Sequence, residues 1–282
     1  MARFILSAFA DEIDPVFEIQ LASLNRLGIE YIELRGVDGR SFVTLSDREI
    51  YDIRRRLGIH GVKVWSLGSP LGKVPVSQAQ TQYALLDRIM DIGDKLGTKN
   101  IRMFSFYPEP GELFEEFEKK VFFHVASLAE KAASAGFTLC HENEKGIYGC
   151  SAERESKLVS ACGGRLMLAL DNGNFIYCGE RADGAYELLK EHVRYFHIKD
   201  CLPGGIIVPP GKGDAGIPEL IAQINAFVKG DAYLTVEPHL TDFVGLSSLS
   251  ADGGVAHAYS FETPYAAFEC AVNEVRRMIS AL

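Results

Sequence analysis

Eight apolar runs of strand length alternate with eight amphipathic segments from one end of the chain to the other, and this alternation limits the fold more than any other feature. The strand patterns are Phe4–Ala10, Tyr31–Arg35, Val62–Leu67, Asn100–Phe106, Phe137–Glu142, Leu166–Asp171, Arg194–Lys199 and Ala232–Glu237. The helical patterns are Pro15–Leu27, Asp47–Leu57, Ser77–Leu96, Glu112–Ala135, Ala152–Ala161, Ala182–Glu191, Pro218–Val228 and Pro264–Ile279. Ser46-x-x-Glu49 is a capping box, and Ile217-Pro218 and Thr263-Pro264 put proline in a first turn. Gly28, Gly58, Gly97 and Gly136 stand where helices close before the next strand. Strand–helix pairs repeated eight times predict a parallel (β/α)8 barrel. No linker-like stretch divides the pattern, so residues 1–282 are expected to form one domain.

Composition agrees and narrows the partners. A chain of 282 residues that is 47% apolar can bury a large core, and barrels of this kind run to about 250 residues. The net charge of −9 argues against a general binder of nucleic acid or anionic membrane, both of which need basic surface. Cys140, Cys150, Cys162, Cys178, Cys201 and Cys270 form no C-x-x-C pair and read as reduced thiols. Arg3 before an apolar run and Ala8-Phe9-Ala10 imitate a secretion signal, but the run is short and Asp11 and Glu12 follow at once. It is read as the first strand. No run approaches the ~18 apolar residues of a membrane span, so the expected address is the cytoplasm.

Four metal-ligand types end the last four strands: Glu142, Asp171, His197 and Glu237. Parallel strands carry their carboxyl ends to one side, where these side chains can converge. Two Glu, one Asp and one His make an oxygen-rich set suited to one divalent ion such as Mn²⁺, Mg²⁺, Co²⁺ or Zn²⁺. Alternation supplies a second test. Thr138, Cys140, Met167, Ala169, Tyr195, Tyr233 and Thr235 share the ligands' parity, while Phe137, Leu139, Leu168, Leu170, Phe196, Ile198, Leu234 and Val236 hold the other. The aliphatic face belongs against the helices, so the ligands are expected to face the lumen. Glu144 has the same parity and is a rival to Glu142, which ends the apolar run. The bland alternative is a metal-free barrel mouth with ordinary polar rim residues.

Further candidates lie on the same side. Glu33 ends the second strand and could bond substrate hydroxyls, or pair structurally with Arg35 or with Arg102, itself a substrate-binding candidate. Gly68-Ser-Pro-Leu-Gly-Lys73 is one residue short of a phosphate loop and ends in Val74, which leaves Lys73 as a contact for an anionic substrate. The glycines flanking Lys212 either cradle a phosphate or simply form a turn, the more economical reading. Trp65 is read as a barrel-filling aromatic that could also stack on a sugar. His60, His124 and His192 are read as surface or packing residues, whereas His239 and His257 lie on the active side. Two long loops, Leu202–Gly216 and Thr241–Glu262, follow the last two strands and are expected to act as lids or clamps.

FADEID, GIEYIELRG, HEN, LDNGN, HIKD with VPPGKGD, and TVEPH together resemble the xylose isomerase-like TIM-barrel superfamily along nearly the whole chain. That group includes sugar-phosphate isomerases, keto-sugar epimerases, inosose dehydratases and endonuclease IV. The resemblance implies that Glu142, Asp171, His197 and Glu237 bind one metal ion, and that Glu142 and Glu237 also move protons. It implies an isomerase or epimerase of a small keto-sugar, polyol or sugar acid, working through an enediolate. A dehydratase is the runner-up, because the same enolate can expel a hydroxyl. Two positions depart from the related epimerases: Asn174 stands for a histidine and Pro203 for an arginine. Asn174, Lys199, Asp200 and Lys212 are the expected substitutes in substrate contact. The endonuclease branch needs further histidines that Trp65, Phe104, Asn174 and the GKGDAG segment do not supply. A non-catalytic sugar-binding barrel is the third reading, and self-association is left open.

Overall fold

The wall of the molecule consists of eight strands: β1 (Ala2–Ala8), β2 (Tyr31–Leu34), β3 (Lys63–Leu67), β4 (Asn100–Met103), β5 (Thr138–Glu142), β6 (Leu166–Asp171), β7 (Val193–Ile198) and β8 (Gly230–Val236). The computed structural model describes residues 1–244 and 256–282. The strands pair in parallel in the order β1-β8-β7-β6-β5-β4-β3-β2. The terminal strands β1 and β2 touch without a ladder between them, so the sheet is a nearly closed (β/α)8 barrel.

The helices are α1 (Phe17–Arg26), α2 (Asp47–His60), α3 (Gln82–Leu96), α4 (Phe114–Ser134), α5 (Ala152–Ala161), α6 (Asn172–Tyr177), α7 (Ala185–Leu189), α8 (Ile217–Phe227) and α9 (Pro264–Ser280). The Ser46 capping box forms: Ser46 N donates to Glu49 Oε2 at 2.7 Å and Glu49 N to Ser46 Oγ at 3.4 Å. Gly58 does not end α2 as expected. The helix runs on to His60 and closes at Gly61, whose φ of 67° suits the left-handed cap. The helical pattern 182–191 shrinks to α7 plus a short 3₁₀ turn at Lys190–His192, and the LDNGN segment contains the unforeseen α6. Asp171 starts α6 as its N-cap, accepting from Asn174 N.

Alternation sorts the side chains as expected. Cys140, Ala169 and Tyr195 fill the lumen with Trp65, Met167 and Tyr233, and Trp65 stacks on Tyr233 at 3.3 Å between ring centroids. Trp65 is therefore barrel filling. On the outer face Leu168, Leu170, Phe196, Ile198 and Leu234 pack with Ile217, Leu220, Ile221 and Ile224 of α8. Each such buried side chain contributes about 1.5–3 kcal/mol of hydrophobic stabilisation.

The loop after β7 is ordered by its own chain. Asp200–Leu202 pairs with Ile206–Val208, which also pairs with Ala256–His257 from the loop after β8. Asp200 accepts from Gly211 N (2.8 Å), Gly213 N (3.0 Å) and Ala215 N (3.1 Å). Those amides are engaged, so the glycines around Lys212 form a turn and not a phosphate cradle. A Cβ on Gly213 would lie 2.3 Å from Asp200 Oδ1, which explains the glycine. Half of the expected lid at Thr241–Glu262, residues 245–255, lies outside the described residues.

Candidate metal centre

The ladder positions the four strand-end candidates. Asp171 pairs with His197 across β6 and β7, Thr235 pairs with His197 across β7 and β8, and Glu142 pairs with Ala169. Glu237 therefore stands two residues above the His197 level and Glu142 two below Asp171, a stagger that strand tilt folds into one cluster. One ligand atom from each of Glu142, Asp171, His197 and Glu237 lies within 4.8 Å of the others, and all four residues are buried. Glu144, the rival, is outside this group; it pairs with Lys73 at 2.7 Å.

Beneath the cluster, Glu33 accepts from the Tyr195 hydroxyl (2.7 Å) and Thr235 Oγ1 (3.0 Å) and lies 3.0 Å from His197 Nε2. Glu33 thus faces the histidine and pairs with neither Arg35 nor Arg102, unlike either role expected for it. With Nε2 engaged, His197 presents Nδ1 to Glu142 Oε1 and Glu237 Oε2, each 3.1 Å away. A carboxylate behind a ligating imidazole sets its tautomer and raises its basicity.

Each cluster carboxylate also leans on a cation. Arg102 Nη1 is 3.1 Å from Glu142 Oε2, Lys199 Nζ is 2.9 Å from Asp171 Oδ2, and Arg35 Nη1 donates to Glu237 Oε1 at 2.9 Å. Arg102 and Lys199, expected to contact substrate, stand at the cluster as ion-pair partners of Glu142 and Asp171. Asn174 Nδ2 donates to Asn143 O (2.8 Å) and Glu142 Oε1 (3.2 Å), so it braces the glutamate. Lys212 does not join. It is exposed and acts electrostatically on Cys270 of α9. Among the described residues His257 is 3.7 Å from Asp242, well outside the cluster, and His60 pairs with Glu18 at the surface.

Asp11 and Glu12 escaped the sequence reading, while Arg35 was expected only as a partner of Glu33 and His239 only on the active side. Arg35 also donates to Asp11 (2.8 Å) and Glu12 (3.2 Å), and His239 Nε2 sits 3.3 Å from Glu237 Oε1 and 3.4 Å from Glu12 Oε1. His239 holds a left-handed φ of 48°, which costs about 1–2 kcal/mol, and its N–H donates to Glu12 Oε2. The acidic pair after β1 was the available signal, since it falls at a barrel mouth.

Electrostatics separate the groups. Burial raises the Glu142 pKa, but His197 and Arg102 outweigh it and hold the carboxyl at about 2. Glu237 is held well below the usual range against the same burial by Lys199 and His197. Burial pushes Asp171 up to about 6 and Glu12 up to about 8, against Lys199 and Arg35 respectively. His239 is lowered to about 4 by burial and by Lys199. His197 is raised well above the ordinary value because Glu142, Glu33 and Glu237 outweigh its burial.

The donor set fits a divalent ion. Glu142 Oε2, Asp171 Oδ2, His197 Nδ1 and Glu237 Oε2 are each buried with no aligned hydrogen-bond partner. Each has an ion-pair neighbour in place of an aligned hydrogen bond, and buried polar atoms without such a bond are rare in native proteins. Four of them turned to one point match the hard oxygen and imidazole ligands of a divalent cation. Glu12, Glu237 and His239 also approach within 4.8 Å of one another. There the guanidinium of Arg35 already bonds both glutamates and is the cation of that group.

A family model described as xylose isomerase-like TIM barrel matches residues 21–246. The chain belongs to that family. No curated protein sequence matches it. Among solved structures, D-allulose 3-epimerase from Methylomonas sp. in complex with D-allulose superimposes with a TM-score of 0.76 at 15% identity, over 99% of this chain and 98% of that one. The IOLI protein with a bound zinc atom gives 0.74 at 18% identity, over 98% of each chain. The probable 3-DHS dehydratase AsbF from Bacillus anthracis gives 0.73 at 11%, over 98% of this chain and 99% of that one. At these identities the likeness establishes the fold.

Proposed function

We propose that this barrel is a divalent-metal-dependent isomerase or epimerase of a small hydroxyketone such as a keto-sugar or keto-polyol. The observation that carries the reading is the convergence of four buried ligand atoms, none in an aligned hydrogen bond, at the carboxyl ends of β5 to β8. Family membership and the epimerase among similar structures support it. Glu142, Asp171, His197 and Glu237 would hold the ion, which when bound polarises a carbonyl and its neighbouring hydroxyl.

The rest falls to the chain. Glu142 and Glu237 are both unprotonated at neutral pH and approach His197 Nδ1 from two strands, so each can accept a carbon-bound proton. One removes the proton at the carbon beside the carbonyl. The other carboxyl, once it has taken a proton from solvent or a substrate hydroxyl, delivers it from the opposite face and inverts that centre, whereas return by the first carboxyl to the neighbouring carbon isomerises the sugar. Asn174 and Arg102 fix Glu142, while Arg35 and His239 fix Glu237, so neither carboxyl has to reorganise during the transfer.

Solvent exchange tests this. Ketoses, inososes and keto-acids incubated in D₂O with Mn²⁺-loaded protein should take up deuterium beside the carbonyl, and Glu142→Gln and Glu237→Gln should each slow turnover about 10²–10⁴-fold. Normal turnover in either variant removes the proton-transfer roles. Product lacking the elements of water would instead make the enzyme a dehydratase.

A further inference from the structure

Beside the cluster lies a cavity of about 340 Å³ that none of the four ligands lines. Arg35 and Arg102 form its wall on the cluster side, and the same two guanidinium groups contact Glu237 and Glu142. Whatever binds at the ligands therefore has this space one side chain away. The remaining wall includes Pro15, Val43, Pro70, Phe104, Phe243 and Val244.

Four cations line the cavity, yet each already has an acid. Arg35 bonds Asp11, Glu12 and Glu237; Arg102 faces Glu142; Lys73 holds Glu144; Arg40 pairs with Glu49. An entering anion would have to compete with those carboxylates. A bare sugar would lose water from its hydroxyls against a mostly apolar wall, in which Asp11 and Ser41 are the polar side chains besides the paired cations. Planar surfaces are what the cavity offers. The Arg35 guanidinium lies between the rings of Phe9 (4.1 Å) and Phe243 (4.9 Å), and Arg102 lies 4.9 Å from the Phe104 ring. The Phe104 and Phe243 rings in the wall, backed by those guanidinium groups, favour a flat π-bearing group.

We propose that the cavity takes an aryl substituent carried by the substrate, whose hydroxyketone end reacts at the acid–histidine cluster; this rests on the function proposed above. The substrate is accordingly a sugar-like ketone bearing an aromatic group, and not a free monosaccharide.

Three small ketones decide it. Their dissociation constants on Mn²⁺-loaded protein are read from displacement of Mn²⁺-bound water by proton relaxation. 1-Hydroxy-4-phenylbutan-2-one is expected to bind about 10- to 100-fold tighter than hydroxyacetone, as burial of one ring implies. Hydroxypyruvate, the anionic counterpart, should gain no such advantage. Val43→Trp, which fills the cavity, should erase the phenyl preference while Mn²⁺ affinity stays unchanged, and Val43→Ala should keep it. Val43→Phe takes the place of Val43→Trp if the larger side chain impairs Mn²⁺ binding. Equal binding of the phenyl and methyl ketones, tightest binding of hydroxypyruvate, or a phenyl preference that survives filling of the cavity overturns the assignment. If no ketone disturbs the bound water while Mn²⁺ itself binds, the hydroxyketone reading fails, and the cavity assignment fails with it.

Discussion

His197 meets the cluster through Nδ1 because Glu33 holds its Nε2, and Glu33 is in turn kept in place by Tyr195 and Thr235. A buried acceptor at that position makes the imidazole a better donor to a metal. Glu33→Gln is therefore expected to weaken Mn²⁺ binding about 10- to 100-fold, measured by calorimetric titration, with the fold intact by circular dichroism. Protonation works in the opposite direction. The folded pKa of His197 is raised above its ordinary 6.5, so the proton stabilises the metal-free fold fully below that value, and the contribution is lost as pH rises through the raised pKa. Metal must displace that proton to reach Nδ1. Mn²⁺ affinity should consequently rise with pH through neutrality and protons should be released on binding, which titrations in buffers of different ionisation enthalpy will detect.

Elements, not single residues, set the shape of the mouth. The VPPGKGD segment looks like an anion loop by composition, but Asp200, just after β7, takes two of its amides and that of the following Ala215, and turns it into a brace between β7 and α8. Replacing Asp200 with Ala would leave those donors without an acceptor, at about 1–3 kcal/mol for each one that stays dry. The expected outcome is a lowered Tm and faster amide exchange at Gly211, Gly213 and Ala215. A similar argument covers the segment before Lys73. A Cβ on Gly72 would come within 2.1 Å of Phe104 O at a φ of 80°, so this glycine serves close backbone packing of the β3 loop on the β4 loop.

On the scale of the molecule, strand tilt gathers carboxylates at one end of the barrel, where Arg35, Arg102, Lys199 and His197 offset their mutual repulsion in the absence of an ion. A bound divalent ion removes more of it. At a free Mn²⁺ concentration a hundredfold above Kd, the native state gains about 2.7 kcal/mol, enough to raise the Tm of a chain this long by several degrees. Chelation should reverse the gain. Glu142→Gln and Asp171→Asn, each lacking one ligand charge, should show a smaller Mn²⁺-dependent rise by calorimetry.

The amino-acid order alone determined the barrel, because strand and helix periodicities are local and apolar alternation assigns each strand residue to lumen or helix layer. It also singled out Glu142, Asp171, His197 and Glu237, since all four end strands on the lumen parity. Only the folded chain could decide what those residues touch. Arg35 reaches Asp11, Glu12 and Glu237 across 24, 23 and 202 positions, and Glu33 reaches His197 across 164, separations that no local pattern encodes. For the same reason Lys212, which has the right charge in the right loop, points away. The loop around it is set by the amide grip of Asp200, and a Cβ on Gly211 would lie 3.1 Å from Met278 Sδ of α9, so both restraints are long-range.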